Sequence, residues 1–359
     1  MRICSICGFP KKFARFFDWR SDGTIVSTDR SKTSSKITFL EVDEIDGIFN
    51  DLSDTIGIPV DRFLIQAQKG LGKALYASLP VRHVQKIPNN RFLRPQFLAR
   101  MMVRLIAPDI AGLGDGRLSL DRYRAGEVLV LRFKNSCVKP LLVGGAAGMY
   151  ESIEEMPGSR ATYAVEENGD LVVTLEHSET AEKEERLYLE EIPPGEGKVT
   201  YRRCSDCGVP LLASSSFEWR LKEGVIINRL TGRREVVIAV QSVNAILREL
   251  ERELGEEIPS ILRDHQKRYT AKRLRDADTS DADAFWEERF MEMAVRGLGY
   301  PRDFTRTGSS IKVHINDAYN QDLYAAKLAG AFEVLNGTTS AIHWQIRKRD
   351  NALYEISAA

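Results

Sequence analysis

The sequence has no long apolar run, no excess of charge of either sign, and only five cysteines and five histidines. No stretch reaches the roughly 18 apolar residues of a transmembrane helix, so we expect no membrane span. Lys plus Arg and Asp plus Glu both number 51, and a neutral chain offers nucleic acid or an anionic membrane no general attraction. The first residues, MRICSICGFPKKF, lack the apolar core of a signal peptide. We therefore expect a cytoplasmic protein without a nucleic-acid partner.

Signatures of catalysis are missing as well. The segment AGLGDG is rich in glycine but lacks the register of a dinucleotide-binding loop. No Gly-x-Ser-x-Gly motif, phosphate-loop lysine or paired carboxylates stand out. The histidines have no i, i+4 metal-ligand spacing and no neighbouring nucleophile motif: His83, His177, His265, His314 and His343. These absences make an enzyme the less favoured class.

What the sequence does contain is a long internal repeat within 359 residues. CSICGFP begins at Cys4 and CSDCGVP at Cys204, and Trp19 and Trp219 follow at the same distance. Later segments repeat in the same order, including AGLGDG with RGLGYP and LLVGGAAGMYE with AAKLAGAFEVL. Repeats of this length indicate a duplicated domain. We predict a first repeat over 1–178, a charged Pro/Gly-rich linker over 179–198, and a second repeat over 199–359.

Each repeat mixes strand and helix patterns. Aromatic and β-branched residues on either side of a glycine predict a short hairpin after each cysteine pair. Apolar residues at three- and four-residue steps then predict a helix that ends at Gly57 in the first repeat and Gly255 in the second, each glycine forming a left-handed cap. Further helices, an alternating strand, a helix of small residues and closing strands follow. The pattern predicts an α/β (α+β) fold in both repeats, that is, an internal pseudo-dimer.

The repeated cysteine pairs predict a metal site. A Cys-x-x-Cys turn followed by glycine is typical of zinc ribbons, in which two thiolates converge on one ion and glycine lets the turn close. One turn supplies two ligands and structural zinc takes four, so we predict one site formed by Cys4, Cys7, Cys204 and Cys207. Four thiolates leave no open position, which indicates a structural role. Zn²⁺ is favoured over iron, although tetrahedral sulfur suits both.

Other interpretations of the cysteines stay open. A thioredoxin-type dithiol lies at a helix N-terminus after a strand, whereas Cys4 is nearly the first residue. Structural disulfides conflict with a reducing compartment, and metal-free thiols are the remaining alternative. Cys137 stands alone, and we expect a half-buried thiol at a strand–helix junction.

Apolar stripes suggest a ligand pocket. Phe97, Met101 and Met102 lie in one predicted helix, and Phe290 and Met293 in its counterpart. Methionines form an adaptable lining for apolar ligands. Ordinary core packing is the alternative interpretation.

The passage AGLGDGRLSLDRYRAGEVLVLRFKNSCVKPLLVGGAAGMYESI resembles the 4-vinyl-reductase, or hydrocarbon-binding, domain, and the segment from GLGYP to VLNG looks like a divergent second copy. That domain belongs to a superfamily that includes haem nitric-oxide sensors and acyl-binding trafficking subunits. The resemblance implies a mixed, mainly antiparallel sheet packed with helices and an apolar pocket between the layers. The closing segment IHWQIRKRDNALYEIS has no metal-binding cysteine of the kind that family members carry there. The N-terminal pairs could replace that role, and no histidine matches the haem ligand.

We therefore expect a metal-clipped sensor or regulatory protein that binds a small hydrocarbon, aromatic or acyl molecule and signals to a protein partner. An enzyme or enzyme-assembly factor acting on such a molecule is the second hypothesis. A structural adaptor without a ligand is the third.

Overall fold

The computed structural model describes residues 1–28, 34–77, 95–179, 195–348 and 351–359. In these ranges, ten helices and fourteen strands form a mixed α+β fold with three antiparallel sheets of six, four and four strands. The predicted fold class is confirmed. Most of the predicted linker, residues 180–194, lies outside the described ranges.

Both halves use the same order of elements. The first half contains α1 Lys11–Ala14, β1 Phe17–Trp19, β2 Ile25–Thr28, β3 Ser34–Glu41, α2 Val42–Ile56, α3 Asp61–Ala77, α4 Pro95–Leu113, β4 Arg117–Arg124, β5 Val128–Lys134, α5 Lys139–Glu154, β6 Gly158–Val165 and β7 Leu171–Ser178. The second half contains α6 Leu211–Ser216, β8 Phe217–Arg220, β9 Val225–Asn228, β10 Arg234–Ala239, α7 Val240–Leu254, α8 Ile258–Arg273, α9 Ala282–Val295, β11 Asp303–Thr307, β12 Ser310–Ile315, α10 Gln321–Asn336, β13 Ser340–Lys348 and β14 Asn351–Ala358.

The six-stranded sheet joins the halves at its centre. Its strand order is β1-β2-β3-β10-β9-β8. Each half thus contributes three equivalent strands, and the third strand of each half lies at the centre of the sheet. Phe39 pairs with Val237 at the middle of the β3–β10 ladder. On either side, Glu41 pairs with Glu235 and Ile37 with Ala239, so the register is symmetric about this point. The sequence analysis did not predict β3 or β10.

The helices that follow β3 and β10 show why the repeat folds twice in the same way. Ile45, Ile48 and Leu52 bury one face of α2, as the apolar spacing predicts. The predicted left-handed cap is present at Gly57, with φ 72° and ψ 14°. It is wrong for Gly255, where ψ is 168°. There the chain leaves α7 extended, and α8 begins at Ile258 after three residues, whereas α3 begins at Asp61 after four.

Each half also has its own four-stranded sheet, β4-β5-β7-β6 or β11-β12-β14-β13. The small-residue helix packs closely on the second helix before it, α5 on α3 and α10 on α8. A Cβ at Gly330 would lie 2.5 Å from the Lys267 carbonyl oxygen on α8. A lysine, a glutamate and a serine at equivalent positions link these elements in both halves. Lys69 lies 2.6 Å from Glu151, which accepts from Ser159 Oγ at 2.6 Å, and Lys267 lies 3.1 Å from Glu333, which accepts from Ser340 Oγ at 2.9 Å.

The cysteine-bearing hairpins dock on the opposite half. Trp19 of the first hairpin donates from Nε1 to the Val295 carbonyl at 2.9 Å, and Trp219 of the second donates to the Gly112 carbonyl at 3.1 Å. The hairpin turns also accept backbone hydrogen bonds from the opposite half. Gly299 N donates to the Gly23 carbonyl at 3.1 Å, and Gly116 N donates to the Gly224 carbonyl at 2.9 Å. The halves are therefore interlocked.

Buried ion pairs lie where first-half elements meet the second half. Glu44 on α2 accepts from Lys327 on α10 at 2.5 Å. Arg296, after α9, lies 3.4 Å from Glu235 and 3.6 Å from Glu44. All four side chains are nearly inaccessible to solvent, so their pairing offsets the large penalty of burying charge. In the described part of the chain, no helix is both long and apolar enough to cross a membrane.

Candidate metal centre

The two Cys-x-x-Cys turns fold identically. In the first, Cys4 N donates to the Phe9 carbonyl at 2.8 Å and Gly8 N donates to the Cys4 carbonyl at 3.0 Å. In the second, Cys204 donates to Val209 at 2.8 Å and Gly208 to Cys204 at 2.9 Å. Gly8 and Gly208 both have φ 75°, a conformation that glycine adopts without steric cost. The glycine after each pair thus closes a turn that holds both sulfurs on one side.

The symmetric sheet brings these turns together. The ligand atoms of Cys4, Cys7, Cys204 and Cys207 all lie within 4.8 Å of one another. The Cys4 and Cys204 sulfurs are 3.8 Å apart, and those of Cys7 and Cys207 are 3.4 Å apart. The four residues that the sequence predicts as one site therefore form one cluster, with two members from each half.

The donor set fits a tetrahedral ion. Zinc–sulfur bonds of about 2.3 Å place neighbouring sulfurs of a tetrahedron about 3.8 Å apart, and the observed separations are close to this value. All five cysteines are free thiols, since a disulfide needs sulfurs about 2.05 Å apart. In the described ranges no other group of three or more potential ligands comes together.

The thiols differ in their electrostatic surroundings. Backbone N–H groups of Cys207 and Asp206 donate to the Cys204 sulfur and lower the pKa of Cys204 to about 7. Burial raises the pKa of Cys7 and of Cys207. Metal ligands must be deprotonated, so the lowered pKa favours the thiolate form of Cys204 that a metal ion needs.

A charged pair borders the cluster on one side. The Cys4 thiol donates to the Asp206 carboxylate at 3.2 Å, and Lys11 Nζ lies 2.9 Å from the same oxygen. The hydrogen bond from Lys11 holds the pKa of Asp206 below its usual range. The first half has Ile6 at the position of Asp206, so this feature is not duplicated. The sequence analysis missed the pair, although Asp206 lies within the Cys-x-x-Cys motif itself.

Beneath the cluster, aromatic residues of both halves form one apolar layer. Phe39 stacks on Phe217 with ring centroids 4.6 Å apart, and Phe9 meets Trp219 edge-on at 4.5 Å. Aromatic pairs of this kind fix relative orientation as well as burying area. Cys7 and Cys207 therefore pack against an aromatic layer to which both halves contribute.

The remaining predicted residues lie elsewhere. Cys137 lies between β5 and α5 as predicted, but it is buried, at 3% exposure, and not half-buried. It donates to Asp115 Oδ1 at 3.5 Å, and burial raises its pKa well above the ordinary value. His265 Nδ1 lies 2.5 Å from Asp51, and His314 contacts Asp303 and Asn351. His83 falls outside the described ranges.

The predicted pocket residues divide between surface and core. Phe97 and Met101 are exposed on α4, at 59% and 51% of their surface, and Met102 is half-buried. Phe290 and Met293 are buried on α9 in the core of the second half. The structure thus does not bring the two sets together, and a ligand pocket stays a prediction.

No protein-family model matches the sequence, and no curated protein matches it. The resemblance to the 4-vinyl-reductase domain accordingly stays a prediction.

Proposed function

We propose that this protein is a metal-clipped small-molecule-binding protein of a sensor or regulatory kind, in which one structural zinc ion joins the two halves. The convergence of four cysteine sulfurs, two from each half, within 4.8 Å carries the proposal. Zinc is proposed over iron because four thiolates with no open position suit a structural zinc ion. A reducing compartment such as the cytoplasm would keep the thiols free to bind it.

The second half is the better candidate for the ligand. Phe290 and Met293 are enclosed by protein, and binding sites bury most of their ligand's surface. Phe290 stacks with Trp286 and meets Phe304 edge-on, with centroids 5.5 and 5.0 Å away. This aromatic, methionine-containing surrounding supports an apolar or aromatic ligand.

The docking of the first cysteine-bearing hairpin on the second half connects the proposed ligand site with the proposed metal site. Helix α9 carries Phe290 and Met293 and ends at Val295, whose carbonyl accepts the Trp19 N–H. A ligand that binds one conformation of α9 more tightly than another would increase the population of that conformation. The first hairpin, which is bonded to the end of α9, would then change its position. A protein partner that contacts both halves would then respond to the ligand.

The metal content of the purified chain tests the clip. We expect one zinc per chain by native mass spectrometry and elemental analysis, and loss of zinc in Cys204→Ser. Cys137→Ser is the matched control, because this buried cysteine lies outside the cluster. A metal-free wild-type protein, or Cys204→Ser protein that retains its zinc, would contradict the proposal.

The same spectra test the ligand. An apolar adduct that survives native conditions and dissociates on denaturation would support binding. If the chain carries no adduct and takes up no toluene in a titration, the adaptor alternative is correct and the zinc clip stands alone.

A further inference from the structure

The four cysteines of the metal cluster differ in their access to solvent. Cys4 and Cys204 are buried, at 2% and 4% exposure, whereas Cys7 and Cys207 are half-buried. The two half-buried residues occupy equivalent positions in the two turns, one in each half of the chain. A dissolved reagent that reaches the cluster from solvent therefore meets one cysteine of each half first.

The sulfurs of this half-buried pair also lie close together. The Cys7 and Cys207 sulfurs are 3.4 Å apart, which is shorter than the separation of about 3.8 Å between neighbouring ligands of a tetrahedral zinc site. A disulfide bond is about 2.05 Å long. The two sulfurs therefore need to approach each other by only about 1.4 Å to form a bond.

The competing disulfides all need a buried sulfur. A bond within one turn joins Cys4 to Cys7 or Cys204 to Cys207, and the first member of each pair is buried. Cys137 is also buried and lies outside the cluster. The oxidation of a cysteine depends on its exposure to the oxidant. Access thus favours the one bond that joins the two halves.

We propose that Cys7 and Cys207 form an oxidative modification site, at which hydrogen peroxide links the two halves by a disulfide bond and the zinc ion leaves. This inference rests on the proposed function, because the zinc ion that leaves is the proposed clip. A structural zinc ion takes four ligands, and the disulfide removes two of them.

The reaction takes two electrons from the two sulfurs. One thiolate attacks a peroxide oxygen, the O–O bond breaks, and the products are a sulfenic acid and, after uptake of a proton, water. The second sulfur then attacks the sulfenic sulfur, so that the S–O bond breaks and the S–S bond forms. The departing oxygen takes up another proton and leaves as a second molecule of water. A thiol reductant reverses the linkage by exchange.

The disulfide would replace the zinc ion as the link between the halves. It joins residues 200 positions apart, and a cross-link that closes a long loop restricts the unfolded chain strongly. The oxidised, zinc-free protein should therefore melt at a higher temperature than the reduced, zinc-free protein.

Hydrogen peroxide added to the zinc-loaded full-length chain tests the site. We expect release of about one zinc ion per chain to a metal-sensitive dye, and peptides of the two turns joined by a disulfide in a non-reduced digest analysed by mass spectrometry. Dithiothreitol should separate these peptides and allow added zinc to bind again. Cys137→Ser should behave as the wild type, because this residue lies outside the cluster.

Cys4→Ser and Cys7→Ser form a matched pair, because each removes one ligand of the same cluster. The link between the turns should persist in Cys4→Ser and be lost in Cys7→Ser. Three results would overturn the inference: zinc and free thiols that both survive the oxidant, disulfides only within single turns, or a link that survives in Cys7→Ser.

Zinc content measured before oxidation separates this inference from the proposed function. A chain purified without zinc that still forms the Cys7–Cys207 bond would contradict the clip and support the modification site. A zinc-loaded chain whose sulfurs oxidise without linking the turns would do the opposite.

Discussion

The carboxyl group of Glu235 is fully buried on β10, opposite Glu41 in the central ladder. Burial raises the pKa of Glu235 to about 7, and Glu41 acts in the same direction, whereas Arg296 and the Asn228 amide oppose the shift. The folded-state pKa therefore lies above the ordinary value of 4.5. Between pH 4.5 and 7 the folded state holds a proton that the unfolded state releases, so the free energy of unfolding falls as the pH rises through this window.

Glu235→Gln should remove this pH dependence. Glutamine keeps a neutral acceptor for Asn228 Nδ2, 3.0 Å from the carboxylate, and Arg296 keeps Glu44 and Glu292 as partners. At pH 8 we expect the variant to exceed the wild type by about 1–3 kcal/mol in unfolding free energy, with near equality at pH 4.5. Urea titrations of both proteins at the two pH values measure the difference. A difference that is the same at both pH values would disprove this account.

The charged pair beside the metal cluster gives a second prediction at this scale. A metal-bound Cys4 thiolate would face the Asp206 carboxylate, and Lys11 compensates that repulsion. Lys11→Ala should weaken zinc binding about tenfold in competition with a chelator, in line with other residues that support metal ligands. Adding Asp206→Asn should restore the affinity, because the uncompensated charge is then gone.

Lys12→Ala is the control for this pair. Lys12 is the next residue along α1 and forms an exposed ion pair with Asp109 instead. We expect no change in zinc affinity. Equal weakening in the Lys11 and Lys12 variants would show that only the general charge of the helix matters.

At the scale of secondary-structure elements, the contact of α5 with α3 requires glycine at Gly144 and Gly148. A Cβ at Gly148 would clash with the Lys69 carbonyl and lie 2.8 Å from Lys73 N, both on the backbone of α3. Gly148→Ala should therefore lower the free energy of unfolding by about 1–3 kcal/mol, measured by urea denaturation.

Gly145 in the same helix provides the opposite case. A Cβ there would meet nothing closer than Gln68 Nε2 at 3.8 Å. Gly145→Ala should raise stability by about 0.5–1 kcal/mol through helix propensity. If both variants lose stability equally, close backbone packing is not the reason for the glycine.

Much of the element pattern could be predicted from the sequence, because local spacing dictates it. The stripe of Ile45, Ile48 and Leu52 is enough to specify α2. Strands β3 and β10 escaped prediction because each runs directly into a helix without a turn, so its apolar residues merge with the helical stripe. Their pairing also joins segments about 200 residues apart, and no local pattern encodes it.

The cluster of four cysteines could also be predicted from the sequence. The Cys-x-x-Cys motif occurs once in each repeat, and each copy supplies two of the four ligands of a tetrahedral site. The ion pair of Lys11 with Asp206 was not predictable, because the two residues lie about 200 positions apart in the sequence and only the fold brings them together.

At the scale of the whole molecule, neither half is complete by itself. The central sheet takes three strands from each half, and the hairpins dock on opposite halves. Residues 1–179 and 195–359, expressed together as separate chains, should co-purify as a 1:1 complex with one zinc. Native mass spectrometry reports both values, and two independently folded monomers would refute the interlocked arrangement.

The symmetric ladder around Phe39 and Val237 has a consequence for assembly. Two separate halves must meet by diffusion before they can share an ion, so their metal occupancy falls on dilution. A linker that joins them replaces that encounter with an effective concentration in the millimolar range. The single chain would therefore fill the proposed metal site independently of its own concentration.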